Sequence, residues 1–373
     1  MKDYISVAAC LPTDADRATL VGRVWLPRVE GPAVVALRGG QVIDITRAVP
    51  TIADLISAAD PAALAKADGA VIGSIADLLA NADETSRDTS KPWPLAPIDL
   101  QAVKAAGVTF VASMLERVIE EQARGDATKA DAIRQRIVSI IGDDLAAIKP
   151  GSADAQRIKD VLLSQNAWSQ YLEVGIGPDA EIFTKSQPMS SVGLGAEIGI
   201  LPISTWNNPE PEIVLVVAPS GKVVGATLGN DVNLRDLEGR SALLLGKAKD
   251  NNASSAIGPF IRLFDGGFGI DDIRKADLAM AVHGPEGYTL QGHMGPNHQY
   301  PDGAVLFLGT MFAPTDDRDA PGMGFTHKIG DIVTISTPTL GTLVNRVNHT
   351  DKIAPWTFGA RALMASLTKR GLL

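Results

Sequence analysis

Two glutamates and an aspartate a short distance after them are the residues whose spacing most directly indicates chemistry. In "NNPEPEIVLVV", Glu210 and Glu212 stand on either side of Pro211, just before apolar residues suited to the interior of a sheet. Side chains two residues apart in a strand share a face and lie roughly 6.6 Å apart. Two such carboxylates repel each other and resist dehydration unless a cation lies between them. A solvated strand start, with Pro211 at a sheet edge, is the alternative interpretation.

The residues that follow bring a third carboxylate to this pair. The stretch "EIVLVVAPSGKVVGATLGND" is typical of two strands joined by a tight turn. A two-residue turn at 220–221 would pair Glu212 with Gly229 and Glu210 with Asp231. Three oxygen ligands that leave coordination positions open suit Mg²⁺ or Mn²⁺ better than zinc. The hairpin therefore predicts a divalent metal site.

Composition excludes several classes of function. With 373 residues, 45% of them hydrophobic, the chain is long enough for two domains and a large core. The formal net charge of −9 and the lack of a basic stripe argue against a nucleic-acid or anionic-membrane partner. The apolar runs are too short for a membrane span, and the first residues do not resemble a signal peptide. Cys10 is the single cysteine, so an internal disulfide is excluded. We predict a cytoplasmic location.

Hydrophobic periodicity predicts a small α+β unit at the start of the chain. Apolar and polar residues alternate across Gly/Pro turns over 18–46, and the stretches "TIADLISAA" and "SIADLLANA" then take up helical spacing. The proline-rich segment 91–100 is typical of an extended linker. We therefore predict an N-terminal domain over 1–92 and a second domain over 93–373.

The predicted second domain begins with helices and ends with strands. Charged faces lie beside apolar stripes over 111–170, which predicts a helical segment whose charges are solvated. Strands separated by Gly/Pro turns dominate 180–349. The predicted fold class is therefore α+β.

Three phrases around the acidic residues resemble the core of the fumarylacetoacetate hydrolase superfamily: "NNPEPEIVLVV", "LGNDVNLRDLEGR" and "GKAKDNNASSAIGPF". The resemblance is strongest over 93–373. It implies a mixed β-roll catalytic domain that acts as a homodimer or homotetramer. The phrases "SQYLEVGIGPDAEIFTK", "HQYPDG" and "FLGTMFAP" are similar to a branch of 2-keto-3-deoxy-sugar-acid dehydratases, especially those acting on 2-keto-3-deoxy-D-xylonate.

The resemblance assigns roles to the three acidic residues described above and to two cationic residues. It implies that Glu210, Glu212 and Asp231 hold the metal, as the hairpin pairing also predicts. It further implies that Lys249 and Arg235 are cations beside metal and substrate, where they would balance the acidic charge. Without the resemblance, Lys249 is a solvated loop lysine, and Arg235 forms an i,i+4 pair with Asp231 on a short helix.

Ser113 and Glu116 have two interpretations. Their Ser-x-x-Glu spacing before an apolar-periodic run is typical of a helix capping box. The family has a Gly-x-Asn-Tyr-x-x-His-x-x-Glu segment here, in which His and Glu activate a water, and Gly107, Thr109 and Phe110 fall in register with it. The histidine is serine in this chain, and serine is not a base near neutral pH. Glu116 remains available for proton transfer.

Two further residues are weaker candidates for substrate binding. Thr310 matches a family threonine that holds the substrate carboxylate, although a threonine after a strand is commonly structural. Lys185 lies at the end of a predicted strand and would face the same pocket, although such lysines are usually solvated.

These residues together predict a Mg²⁺-dependent hydro-lyase acting on a small 2-keto acid. It would dehydrate a 2-keto-3-deoxy-pentonate to 2-ketoglutarate semialdehyde, with Glu116 as base, Ser113 holding a water, and Lys249 and Arg235 stabilising negative charge. The alternative within enzymes is hydrolysis of an acylpyruvate or 2,4-diketo acid. The alternative of another class is a cation-binding module without catalysis.

At one point, the join between Met294 and Gly295, the sequence is shorter than those of the family branch. A longer loop lies between "GYTLQGHM" and "HQYPDG" in that branch, whereas Met294 is followed directly by Gly295 here. Because long loops beside active sites are commonly lids, we predict that the expressed protein contains an additional segment at this join.

Overall fold

A computed structural model gives the architecture of the chain. It describes residues 1–107, 111–130, 132–135, 151–164, 168–276, 278–281, 300–310, 314 and 316–373, with the side chains of 111–116, 154 and 279–281 left out. The join between Met294 and Gly295 lies outside the described residues, so the additional segment stays a prediction.

Fifteen strands are described, and eleven of them form one large mixed sheet. The strands are β1 Leu20–Leu26, β2 Gly31–Arg38, β3 Gln41–Asp44, β4 Ala70–Ser74, β5 Trp93–Leu95, β6 Ala102–Ala106, β7 Ile182–Ser186, β8 Glu197–Ile200, β9 Pro211–Val217, β10 Val223–Asp231, β11 Ser255–Leu263, β12 Ala279–Ala281, β13 Ala304–Phe307, β14 Ile332–Thr337 and β15 Gly341–His349. The large sheet has the order β4-β3-β2-β1-β11-β10-β9-β13-β6-β7, with β5 paired to β1. Strands β12-β14-β15-β8 form a second sheet.

The described α-helices are short and lie mainly between strands. They are α1 Val7–Cys10, α2 Ile52–Ser57, α3 Pro61–Leu64, α4 Ile75–Ala80, α5 Val111–Ala123, α6 Ala153–Ser164, α7 Gln170–Ile176, α8 Arg235–Glu238, α9 Leu245–Lys249, α10 Ile270–Ile273 and α11 Ala360–Lys369. In the parts of the chain that the structure describes, none of the helices combines the length and the apolar composition needed to cross a membrane.

The large sheet continues from the predicted N-terminal unit into the predicted catalytic unit. Strand β1 pairs antiparallel with β11, so β1 to β4 extend the sheet that carries β9 and β10. Two apolar cores cover its faces. Helices α5 to α7 share a smaller separate core that includes Val118, Leu172 and Trp206. The domain boundary between residues 92 and 93 stays a prediction.

The β9–β10 hairpin has the predicted register but not the predicted turn. Glu212 lies opposite Gly229, and the Asp231 N–H donates to the Glu210 carbonyl at 3.0 Å. The turn is wider than two residues, because the loop 218–222 closes with a backbone hydrogen bond between its first and last residues. A bulge near the start of β10 compensates for this difference. The acidic ends of the two strands therefore meet as expected.

Candidate functional site

Three buried carboxylates meet where β9 begins and β10 ends. Glu210, Glu212 and Asp231 each offer one oxygen atom, and the three oxygens lie within 4.8 Å of one another. None of the three residues is more than 2% exposed. Oxygens at this spacing can all bind one divalent cation, because Mg²⁺ and Ca²⁺ lie roughly 2.0–2.6 Å from their oxygen ligands.

Two buried lysines partly balance these carboxylates. The Lys249 Nζ lies 2.5 Å from Glu210 Oε2 and 3.3 Å from Asp231 Oδ2. The Lys185 Nζ lies 2.9 Å from Asp231 Oδ1. Burial by itself would raise the pKa of Asp231, but the two ammonium groups hold that pKa below its ordinary value. Asp231 therefore stays ionised inside the protein.

Glu212 is the carboxylate of the triad with the least compensation. It accepts a hydrogen bond from the Gly309 N–H at 2.6 Å. Burial, followed by the charges of Asp231 and Glu210, raises the pKa of Glu212 well above its ordinary value. A cation bound between the three carboxylates would remove this penalty, so the site fits a metal ion.

Helix α5 adds a buried arginine to the site, which corrects the prediction of a solvated charged face. Arg117 is 7% exposed and donates at 2.7 Å to both Glu120 and Glu238. It also donates to Glu210 Oε1, a carboxylate of the triad. Its charge is buried because three carboxylates surround it. Sequence reasoning missed Arg117, Glu120 and Glu238, because helical spacing alone does not show which partners another part of the chain supplies.

Arg235 lies one layer behind the carboxylates. Its Nε is 3.1 Å from Glu120 Oε1 and 2.8 Å from Asn208 Oδ1, and its guanidinium stacks on Trp206 at 5.5 Å. Asp231 belongs to strand β10, so the alternative of a helical pair between Arg235 and Asp231 is wrong. A direct role of Arg235 at the substrate stays a prediction.

A small cavity opens beside the triad. It is lined by Ala106, Gly107, Arg117, Glu181, Phe183, Glu210, Asp231, Glu238, Lys249 and Thr310. Thr310 is one of these lining residues. Lys185 forms an ion pair with Asp231 and donates to the Lys249 carbonyl. Substrate contacts of Thr310 and Lys185 stay predictions.

Glu181 is a cavity residue that sequence reasoning missed. It is half-buried, and burial together with the charge of Glu238 raises its pKa. A Cβ atom at Gly107 would collide with the Glu181 carboxylate, so glycine at this position makes room for it. The period of a strand was the available signal, because Glu181 lies four residues before the candidate Lys185, a spacing that predicts the same strand face.

The described side chains of the site carry an excess of negative charge. Six carboxyl groups lie in or next to the cavity, those of Glu120, Glu181, Glu210, Glu212, Asp231 and Glu238. Four cationic groups lie among them, those of Arg117, Lys185, Arg235 and Lys249. When all are ionised, two negative charges remain, which matches the charge of one divalent cation.

The side chains of Ser113 and Glu116 lie outside the described residues. Their backbone belongs to helix α5, which begins at Val111. Ser113 is the third residue of the helix, so the capping-box interpretation, which needs Ser113 just before the helix, is wrong. Roles for both residues in catalysis stay predictions.

A larger cavity, of about 1030 Å³, is separate from this site. It is lined largely by residues from the first strands and the segment before them, among them Leu11, Arg17 and Arg38. Among the described residues, it shares no lining residue with the cavity beside the triad and holds none of the triad carboxylates. The carboxylate triad is therefore associated with the smaller cavity.

Two curated proteins are similar in sequence, whereas no family model matches the chain. The 2-dehydro-3-deoxy-D-arabinonate dehydratase of Saccharolobus solfataricus is 31% identical over 189 residues, which cover 46% of this chain and 60% of that protein. A probable 2-keto-3-deoxyxylonate dehydratase of Haloferax volcanii is 29% identical over 193 residues, covering 48% and 63%. The match thus spans less than two thirds of either relative.

Solved structures extend the similarity over most of the fold. The apo form of a 2-keto-3-deoxy-D-arabinonate dehydratase aligns with a TM-score of 0.58 and 20% identity, covering 88% of this chain and 99% of the other. A 2-keto-3-deoxy-D-arabinonate dehydratase complexed with magnesium and 2,5-dioxopentanoate aligns with a TM-score of 0.52 over the same shares. The predicted α+β fold is confirmed, and part of the chain is similar in sequence to 2-keto-3-deoxy-sugar-acid dehydratases.

Proposed function

We propose that this protein is a Mg²⁺-dependent hydro-lyase that dehydrates a 2-keto-3-deoxy-pentonate to 2-ketoglutarate semialdehyde. The observation that carries the proposal is the buried triad of Glu210, Glu212 and Asp231, with Lys249 beside it in a small cavity. The curated relatives are named as dehydratases of this substrate class. The similar structure complexed with magnesium and 2,5-dioxopentanoate supports it further, because that compound is the same semialdehyde.

The three carboxylates of the triad would hold the metal. When bound, Mg²⁺ supplies Lewis acidity toward the carboxylate and keto oxygens of a 2-keto acid. Lys249 lines the same cavity, and its pKa is raised because Asp231 and Glu210 outweigh the effect of burial, so its ammonium stays charged. It would therefore stabilise negative charge that develops on the substrate when a proton leaves C3.

Glu181 is the described carboxyl group best placed to move that proton. It lines the cavity, is not one of the triad carboxylates, and has a raised pKa, which suits proton exchange nearer to neutral pH. Glu238 also lines the cavity outside the triad, but Arg117 donates to it. Glu181 would take the C3 proton and return a proton to the departing C4 hydroxyl, which leaves as water. Loss of water leaves a C3–C4 double bond beside the C2 carbonyl, with a hydroxyl on C5. Transfer of a proton from C5 to C3 then gives the C4–C5 enol, which becomes the semialdehyde by tautomerisation. Glu116 is the competing candidate, since the resemblance assigns proton transfer to that position.

The resemblance also supports a homodimer or homotetramer that works in oxidative pentose degradation, and we keep the cytoplasmic location that the composition predicts. Light scattering on the purified protein measures the assembly directly. A monomer at micromolar concentration would contradict this part of the proposal.

A substrate panel tests the reaction. Purified protein with Mg²⁺ is incubated with both C4 epimers of 2-keto-3-deoxy-pentonate and, separately, with an acylpyruvate. We expect semialdehyde from at least one epimer and no cleavage of the acylpyruvate. Cleavage of the acylpyruvate without semialdehyde formation would replace the dehydratase with the hydrolase. Inactivity on every substrate, with Mn²⁺ bound, would favour the cation-binding module.

A further inference from the structure

Arg117 connects helix α5 to the carboxylate triad. Its NH2 group donates to Glu210 Oε1, while its NH1 group donates to Glu120 and Glu238 at 2.7 Å each. The other oxygen of Glu210 accepts from Lys249. Both oxygens of this one triad carboxylate are thus held by buried cations, which fixes its rotation.

A second arginine holds the same part of helix α5 from the opposite side. Arg235 reaches Glu120 Oε1 at 3.1 Å, while Arg117 holds Glu120 Oε2. Glu120 is 1% exposed and lies between the two guanidinium groups. The chain of contacts runs from Arg235 through Glu120 and Arg117 to Glu210.

The packing of helix α5 shows why this link matters. Its buried residues Val118 and Ile119 belong to the small core of helices α5 to α7, which is separate from the two cores of the large sheet. The triad lies on strands of that sheet. The ion pairs of Arg117 therefore join two separately packed parts of the molecule at the site.

We propose that Arg117 is a positioning residue that orients Glu210 for the metal and fixes helix α5 against the metal centre. The proposal rests on the metal-binding role of the triad proposed above. An arginine is required because a planar guanidinium can donate to several carboxylates at once in a fixed geometry. A lysine at this position would carry the same charge without that geometry.

Binding of Mn²⁺, measured from the electron paramagnetic resonance signal of the free ion, tests this role without a substrate. In Arg117→Met we expect about 10- to 100-fold weaker Mn²⁺ binding, the usual effect of losing a residue that orients a metal ligand. Arg117→Lys should also weaken binding, because charge without geometry is insufficient. Arg124→Met is the matched control, since Arg124 is an arginine just after the same helix, outside the network of ion pairs around the triad, and its Mn²⁺ binding should equal that of the wild type.

Circular dichroism establishes that each variant is folded before binding is compared. If Arg117→Met does not fold, Arg117→Lys decides the question. Wild-type or tighter Mn²⁺ binding in a folded Arg117→Lys protein would overturn the positioning role, because charge alone would then suffice. Failure of the wild type to bind Mn²⁺ would instead overturn the metal role of the triad, so the two failures are distinguishable.

Discussion

The β9–β10 hairpin and helix α5 both bring buried charges to one cavity, but different forces hold them. The hairpin belongs to the middle of the eleven-stranded sheet, where β13 and β11 pair with its outer sides. Val214 and Val216 of β9 are fully buried in the core below it. Helix α5 packs in the smaller core that it shares with α6 and α7, and among its described side chains Arg117 and Glu120 contact the site through ion pairs.

This difference predicts different roles for the two elements: the hairpin supplies the metal ligands, and helix α5 orients them. Backbone hydrogen bonds and two apolar cores fix the carboxylates of the hairpin, so removal of one of them leaves no nearby substitute. Ion pairs between buried side chains hold helix α5 against the site. The contribution of such pairs to stability depends on their geometry and on how completely their charges are paired. We therefore expect all-or-none effects from changes in the hairpin and graded effects from changes in the helix.

Asp231→Asn is expected to have the largest effect. The amide keeps the shape of the side chain but loses the negative charge that binds a divalent cation, so Mg²⁺-dependent turnover should disappear. Asp271→Asn is the control, because Asp271 is exposed and far from the triad in sequence, and its turnover should be unchanged. Substantial turnover in Asp231→Asn at limiting Mg²⁺ would remove Asp231 from the ligand set.

A comparison of Glu181→Gln with Glu116→Gln tests which of the two glutamates is the base. We expect Glu181→Gln to reduce kcat by roughly 10²- to 10⁴-fold, the usual contribution of a general acid or base, with Mn²⁺ binding retained. Glu116→Gln should then keep most of the turnover. The opposite pattern would move proton transfer from strand β7 and its flank to helix α5, as the family resemblance implies.

Gly229→Ala tests how tightly the hairpin is packed. A Cβ atom there would lie 2.6 Å from a methyl group of Val214 and would also overlap the Phe307 ring. We expect a loss of about 1–3 kcal/mol in the free energy of unfolding, measured by chemical denaturation. Gly246→Ala is the control, since a Cβ atom added there, on helix α9, would have no neighbour within 4 Å, and it should be neutral or slightly stabilising. Equal stability of both variants would contradict the tight packing.

The hairpin could be predicted from the sequence because a strand has a side-chain period of two. Once Glu212 is placed opposite Gly229, Asp231 must come close to Glu210. The turn was predicted too short, and the bulge in β10 that compensates for it has no clear local signal. The same period could have identified Glu181 from the candidate Lys185, which lies four residues further along the chain.

The charged face of helix α5 could not be predicted in the same way. A face that carries Arg117 and Glu120 is typical of a solvated helix. These residues are buried because Arg235, Glu238 and Glu210 meet them from more than 90 residues further along the chain. Contacts between residues so far apart in sequence depend on the tertiary fold, and helical periodicity does not indicate them.

A magnesium titration tests the central claim most directly, that the triad is a metal centre required for dehydration. Protein treated with a chelator is given increasing Mg²⁺ with a 2-keto-3-deoxy-pentonate, and release of semialdehyde is measured beside the number of ions bound per chain. We predict no release without metal and full activity when one ion is bound per chain. Equal semialdehyde release by the metal-free protein, or by Glu212→Gln protein that binds no ion, would contradict the claim.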